Sequence, residues 1–398
     1  MKVYTVVVLA LLFQTSYQGN IVLTTLYAVH LKANPGFLGL IVALSALFPM
    51  ILAIYSGRMS DRIGFRIPLV FGMIGSATAL FLPYLVQNQL YILLVSQSLF
   101  GLSQIFTIVT IQNLIGTLSD AKSYSKNFST LSQGTSIGEL LGSLVTGFSI
   151  DRFQYGMTYV LLSALALIPG IVFLINVIKL PKPAKVNVQV KKKFLDLFGS
   201  RSLRKTFITS GIILTGVFMF EFYFPVYGRS IHLSASLIGI ILSTNTAAYF
   251  IVRLFVPKLM ARYSEDHVLG ICFLLSAIGF LLIPLFKSFY LLIVLSFSMG
   301  LGLGCCQPLS MAMAYHSSPK ERTGEVLGIR LTVNKFAQIV VPIISGPMGG
   351  ALGVLPVFWS NAALFIYGGW SMFDKRTKSS SSPSVPGKMS PWSQKVKH

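Results

Sequence analysis

Acidic residues are scarce in this 398-residue chain: 11 Asp and Glu stand against 32 Lys and Arg. Charged residues of both signs make up only 11%, where soluble domains carry roughly 25%. With 54% hydrophobic residues and a mean hydropathy of +0.73, a water-soluble fold would leave too much apolar surface in water. That excludes soluble enzymes and nucleic-acid modules. The three cysteines, Cys272, Cys305 and Cys306, all lie in apolar runs. Their odd number and spacing exclude a disulfide framework or zinc site. The five histidines are scattered, so no metal set is visible. No glycine-rich loop ends in Gly-Lys-Ser or Gly-Lys-Thr, so the chain carries no ATP motor. No nucleophile–base pair stands out either. The chain reads as a non-enzyme without cofactor or metal.

Long apolar runs fill the space these absences leave. A helix needs about 20 apolar residues to cross a bilayer. Charges, prolines and turn residues cut the sequence into twelve such runs, near 4–29, 36–56, 67–86, 90–118, 128–150, 156–178, 204–228, 235–257, 267–286, 289–315, 325–347 and 352–372. The first run contains Gln14, Gln18 and Asn20 and no small-residue cleavage site, so it reads as a retained helix. Twelve crossings put both termini on one side. Of the 32 Lys and Arg, 26 fall in the termini and the loops on that side, 4 in the opposite loops, and two, Arg253 and Lys335, within helices. The positive-inside rule then places both termini in the cytoplasm.

The longest interior loop, 179–203, holds Pro181, Pro183 and the run Lys191-Lys192-Lys193. It separates a six-helix bundle at 1–178 from a second at 204–372, and its basic run suits anionic lipid headgroups. The Ser-, Pro- and Lys-rich tail, 373–398, reads as disordered. A shift of 200 residues lays Leu38-Gly39-Leu40-Ile41 on Ile238-Gly239-Ile240-Ile241, and Arg62 on Arg262. Two halves with weak internal symmetry are a transporter signature, with the binding site between them near the midplane.

The loop after the second run reads Gly57-Arg58-Met59-Ser60-Asp61-Arg62-Ile63-Gly64-Phe65-Arg66. The glycines suit a tight helix-to-helix turn. Asp61 suits the positive N-terminal end of another helix. Arg62 and Arg66 suit acids or lipid phosphates. This stretch resembles the loop motif G-x-x-x-D-R-x-G-R-(R/K) of the major facilitator superfamily, with Phe65 in place of a basic residue. The resemblance implies that Asp61 docks against the eleventh crossing, near Gly324, and locks the cytoplasmic gate in the outward-facing state. The second-half copy has Ala261 where the aspartate would fall. A further stretch, Pro319 to Arg330, is similar to a pattern common at this place in the superfamily.

In the fifth run, Gly134, Gly138 and Gly142 lie four apart, a spacing that lets another helix approach closely. The stretch resembles the superfamily's fifth-helix motif, G-x-x-x-G-P-x-x-G-G, associated with proton-antiport exporters. Glu139 replaces the proline and Ser143 the last glycine. Glu139 lies near the centre of its helix, where an ionisable residue is costly and points to function. Glu221 is the second intramembrane acid, set among Phe218, Phe220, Phe222, Tyr223 and Phe224. Both are candidates for proton coupling. Asn20, Gln104, Tyr223, Tyr227, Gln307 and Lys335 are candidates for the substrate cavity, since the resemblance places the first, fourth, seventh and tenth crossings around it. Lys335 lies too deep in the eleventh crossing to reach the interface.

The resemblance implies an all-α membrane protein with two pseudo-symmetric six-helix bundles. Its expected activity is secondary transport of a small organic molecule by alternating access, as proton-coupled efflux. Proton-coupled or facilitated uptake of a nutrient or siderophore is the alternative. The expected setting is the bacterial inner membrane, with anionic lipid as neighbour, no nucleic-acid partner, the proton gradient as energy source, and a monomeric state.

Overall fold

In the computed structural model the structure describes residues 2–119, 123–175, 180, 200–318 and 323–373. The linker's basic run, residues 319–322 and the tail lie outside these. Among the described residues there is no strand. This is what lipid demands, since only a helix satisfies its own backbone polar groups away from water. The helices are α1 (Lys2–His30), α2 (Pro35–Ile63), α3 (Arg66–Leu85), α4 (Leu90–Thr117), α5 (Tyr124–Leu174), α6 (Arg201–Ser230), α7 (Ala235–Arg262), α8 (Glu265–Leu282, extended by a 3-10 turn at Ile283–Leu285), α9 (Phe289–Ser317), α10 (Thr323–Leu352) and α11 (Val354–Phe373). Among the described residues, each of the twelve expected runs falls on a helix. The fifth and sixth form the two arms of α5, which breaks at Gln154 (φ 63, ψ 177). Straight, its 51 residues would span roughly 75 Å, more than twice a bilayer core. The arms instead double back. Gly19 of α1 faces Thr146 on one and Leu162 on the other.

The two halves repeat their turns in backbone detail. α1 ends with Ala33 N–H bonded to the Ala28 carbonyl, and Lys32 carries φ 57. Two hundred residues on, Leu233 N–H bonds the Gly228 carbonyl and His232 carries φ 64. These are matching helix-stop motifs. The next helices open alike. The Asn34 side chain accepts from Phe37 N–H at 2.7 Å, and Ser234 Oγ accepts from Leu237 N–H at 3.2 Å. Such caps satisfy amide groups that a helix start otherwise leaves bare.

The cores of the halves differ. The first is tied by a buried amide clasp. Asn20 Nδ2 donates to Gln97 Oε1 and Gln97 Nε2 returns a bond to Asn20 Oδ1, both 3.0 Å. Gln97 also donates to Thr24 Oγ1 at 2.9 Å, and Thr24 lies 3.3 Å from Tyr159 OH. In the second half Phe273, Phe280, Phe358 and Phe365 pack edge-on and tilted with ring centroids 5.3–6.3 Å apart. Amides without partners would be expensive here, and the clasp leaves none of these unpaired.

Between the halves, the close approaches lie toward the end opposite the 57–66 loop. A Cβ at Gly147 would sit 2.5 Å from the Ala235 carbonyl, and one at Gly239 would sit 2.5 Å from the Ser143 carbonyl. Gly39 and Gly346 meet the Pro342 and Pro35 carbonyls in the same way where α2 crosses α10. At the other end, Arg58, Asp61 and Arg62 are exposed. The close approaches between the halves among the described glycines therefore gather at the end opposite the basic loops.

The structure corrects one local expectation. Gly57 is not in a turn; α2 continues through it to Ile63, and only Gly64 (φ 90) reverses the chain. A Cβ at Gly57 would meet Val109 at a comfortable 3.7 Å, whereas one at Gly142 would lie 2.6 Å from the Thr15 carbonyl. Gly57→Ala is expected to leave the melting temperature unchanged, while Gly142→Leu lowers it by roughly 5 °C or more through overpacking. A fluorescence-based thermal scan of the purified protein checks both.

Candidate functional site

One face of α1 organises the interior. Gln14, Tyr17 and Gln18 follow the i, i+3, i+4 spacing that puts side chains on one side of a helix. Each reaches a different helix. Gln14 Nε2 donates to Glu139 Oε1 of α5 at 3.3 Å. Gln18 hydrogen-bonds Glu221 of α6. Tyr17 OH accepts from Gln338 Nε2 of α10 at 3.4 Å, and Gln338 Oε1 in turn accepts from Lys335 Nζ at 2.9 Å. The two acids come from opposite halves, and the charge of the Glu139 carboxylate is felt at Glu221. Both are only half-buried although they lie far from their helix ends, so a water-sized space reaches them.

The glycine motif sets this geometry. A Cβ at Gly138 would lie 2.8 Å from Gln14 Cβ, and one at Gly142 would lie 2.8 Å from Gln18 Cβ. Removing those methyl groups lets α5 settle on α1 at the two places where α1 presents its amides. Gly134 meets Val7 in the same way, 2.5 Å from its side chain. Around the acids the basic groups stay unpaired with them. Arg253 donates to Ser136 Oγ at 3.0 Å, and its charge is felt at Glu139 without an ion pair. Lys335 is taken up by Gln338. Among the described residues, the ion pair within 4 Å is Lys205–Asp266, at 3.0 Å, far from this centre.

The other candidates are distributed. Asn20 belongs to the clasp. Gln104 Nε2 donates to the Ser45 carbonyl at 2.8 Å, tying α4 to α2. Tyr227 OH donates to the Phe286 carbonyl at 2.7 Å, tying α6 to the end of α8. Tyr223 lies edge-on to Phe358 with its hydroxyl against Gly349. The Gln307 side chain is half-buried on α9, and its carbonyl accepts from Arg330 at 3.4 Å. In the basic loop, Arg66 donates through Nε to the Phe173 carbonyl at 2.9 Å and through its terminal nitrogen to the Leu174 carbonyl. It caps the negative end of α5 rather than an acid. Asp61 has no hydrogen bond or ion pair among the described residues. A cavity of about 380 Å³ between α6, α10 and α11 lies to one side, lined by Thr215, Phe336, Ile344 and Asn361 without a charged group.

A family profile described as Major Facilitator Superfamily matches residues 6–234 and, in a second match, residues 206–398. The chain belongs to the major facilitator superfamily. Superfamily members similar to it include the quinolone resistance protein NorA of Staphylococcus aureus, 23% identical over 329 residues, covering 81% of this chain and 83% of that protein. The uncharacterized MFS-type transporter YuxJ of Bacillus subtilis is 25% identical over 339 residues, covering 83% and 86%. Among solved structures, the nucleoside transporter NupG superposes with a TM-score of 0.79 at 15% identity, covering 94% of this chain and 100% of that one. The protein is a multi-pass membrane transporter, not an enzyme.

Gln14, Tyr17 and Gln338 were not singled out in the sequence. The helical spacing 14, 17, 18 was the available signal for the first two. The roles of clasp and hub separate by experiment. Asn20→Ala leaves Gln97 buried without its partner and is expected to cost about 1–3 kcal/mol of stability. Gln14→Ala, at a half-buried position, is expected to leave the melting temperature unchanged and to shift the pH dependence of transport. Thermal scans beside a proteoliposome assay distinguish them.

Proposed function

We propose that this transporter exports a small organic molecule in exchange for protons by alternating access. The observation that carries the reading is the convergence of Glu139 and Glu221, one from each half, on the amides of a single stretch of α1. Two bare carboxylates in a low-dielectric interior repel each other. A proton or a positively charged portion of a substrate relieves that repulsion, so the two compete for the pair. Competition of this kind is the coupling that exchange needs: loading of one requires release of the other. Aromatic rings beside Glu221 suit an amphiphile with a cationic part.

Membership of the superfamily supports transport, and the similarity to a protein named for quinolone resistance supports export of an organic amphiphile. The basic ends of the helices are read as cytoplasmic from the 26-to-4 distribution of Lys and Arg. In that orientation the present conformation is open to the cytoplasm and closed to the outside. The setting is read as a bacterial inner membrane, the active unit as a monomer, and the two bundles as 1–178 and 204–372 joined by a linker that meets anionic headgroups.

The test uses proteoliposomes with an imposed pH gradient and a panel of fluorescent organic cations. The wild type is expected to move dye against its gradient when protons run the other way. Glu221→Gln and Glu139→Gln together are expected to abolish the pH-driven component and to remove the pH dependence of whatever dye binding remains. Unchanged pH-driven transport in the double variant would sink the proposal. Accumulation in the same direction as the protons would mean uptake.

A further inference from the structure

The 57–66 motif has a second copy, inverted in the membrane. At the end of α2 stands Gly57-x-x-x-Asp61-Arg62-x-Gly64; at the end of the first arm of α5 stands Gly147-x-x-x-Asp151-Arg152-x-Gln154. The turns agree in backbone. Gly64 has φ 90 and ψ 173, and Gln154 has φ 63 and ψ 177. That region is adopted almost only by glycine, so Gln154 keeps the turn despite its side chain. The first copy faces the basic end and the second faces the opposite end.

Asp151 is engaged, where Asp61 has no hydrogen bond or ion pair among the described residues. Its Oδ1 accepts from Ala235 N–H at 3.2 Å and its Oδ2 from Ser236 N–H at 2.7 Å. These are the first residues of α7, in the other half, whose amides lack helical partners. Gly147, one turn earlier, removes the Cβ that would keep the arm from the Ala235 carbonyl. Burial pushes the Asp151 carboxyl up, but hydrogen bonds from the Ser236 hydroxyl, the Ser236 and Ala235 amides and the Ser234 hydroxyl outweigh it and hold the group below the usual carboxylate value. A second tie between the halves lies alongside, where Arg229 donates to Tyr155 OH at 2.9 Å.

We infer that Asp151 is a latch at the end opposite the basic loops, the inverted counterpart of Asp61, and that the two alternate: Asp151 caps α7 while that end is closed, and lets go when the halves rock and Asp61 docks at the basic end. Each conformation then holds one aspartate on a helix N-terminus across the interface and leaves the other in water. This rests on the alternating-access reading.

Double electron–electron resonance on the full chain tests it. Labels on Gln87→Cys and Lys287→Cys, in exposed loops at that end of the two halves, report its opening. The wild type is expected to sample a short and a long distance as pH or an added organic cation is varied. Asp151→Ala is expected to raise the long-distance population roughly fivefold to tenfold, as loss of a charged cap would. Asp61→Ala is expected to lower it. Ala235→Pro, which copies Pro35 of α2 and removes one amide donor, should shift it the same way as Asp151→Ala but less, with the melting temperature kept. Distances in Asp151→Ala and Ala235→Pro that match the wild type would overturn the latch alone. A single distance in every variant and condition would overturn alternating access with it.

Discussion

Three missing methyl groups let α5 lie directly on α1, and the interior is arranged around that contact. Where Gly138 and Gly142 face Gln14 and Gln18, the two helices nearly touch backbone to backbone. In lipid, helices gain little from apolar contact, so close packing and hydrogen bonds must hold them together. The approach supplies both: dispersion contact along the glycine face, and amides delivered to the carboxylates of α5 and α6. A bulkier residue at 138 or 142 would push the amides away from the acids as well as loosen the pair. Packing and chemistry share the same residues.

The halves solve the same membrane problem by different means. The Asn20–Gln97–Thr24 clasp fixes the first half by direction: each hydrogen bond specifies an orientation. The aromatic cluster of the second half fixes it by volume and leaves its rings freer to adjust.

Much of this was legible in the residues. Lipid turns apolar length into helices directly, so the runs and their order could be read, and an ionisable residue deep in such a run marked Glu139 and Glu221 as candidates. Side-chain partners were harder. Asn20, Gln104 and Tyr227 looked like cavity residues because composition cannot tell an amide that binds a ligand from one that ties two helices. Gln338 was missed because its partner, Tyr17, is more than 300 residues away in the chain. Asp151 was missed for a different reason. Its motif repeats at a shift of 90 residues, inside one half, whereas the two halves match at a shift of 200. Gln154 in place of glycine hid the match further.

Arg66 gives the arrangement a last consequence. By bonding the Phe173 and Leu174 carbonyls it fastens the 57–66 loop to the root of the linker, so the first half turns as one piece, loop and exit together. Leu180, further along the chain, also packs on the core of that half, and from there to Ser200 lie 19 intervening residues, a length that would reach roughly 65 Å if extended. That is longer than the hydrocarbon core is thick, so covalent continuity between the halves is a matter of stoichiometry, and the two bundles could be supplied as separate polypeptides that find each other in the bilayer.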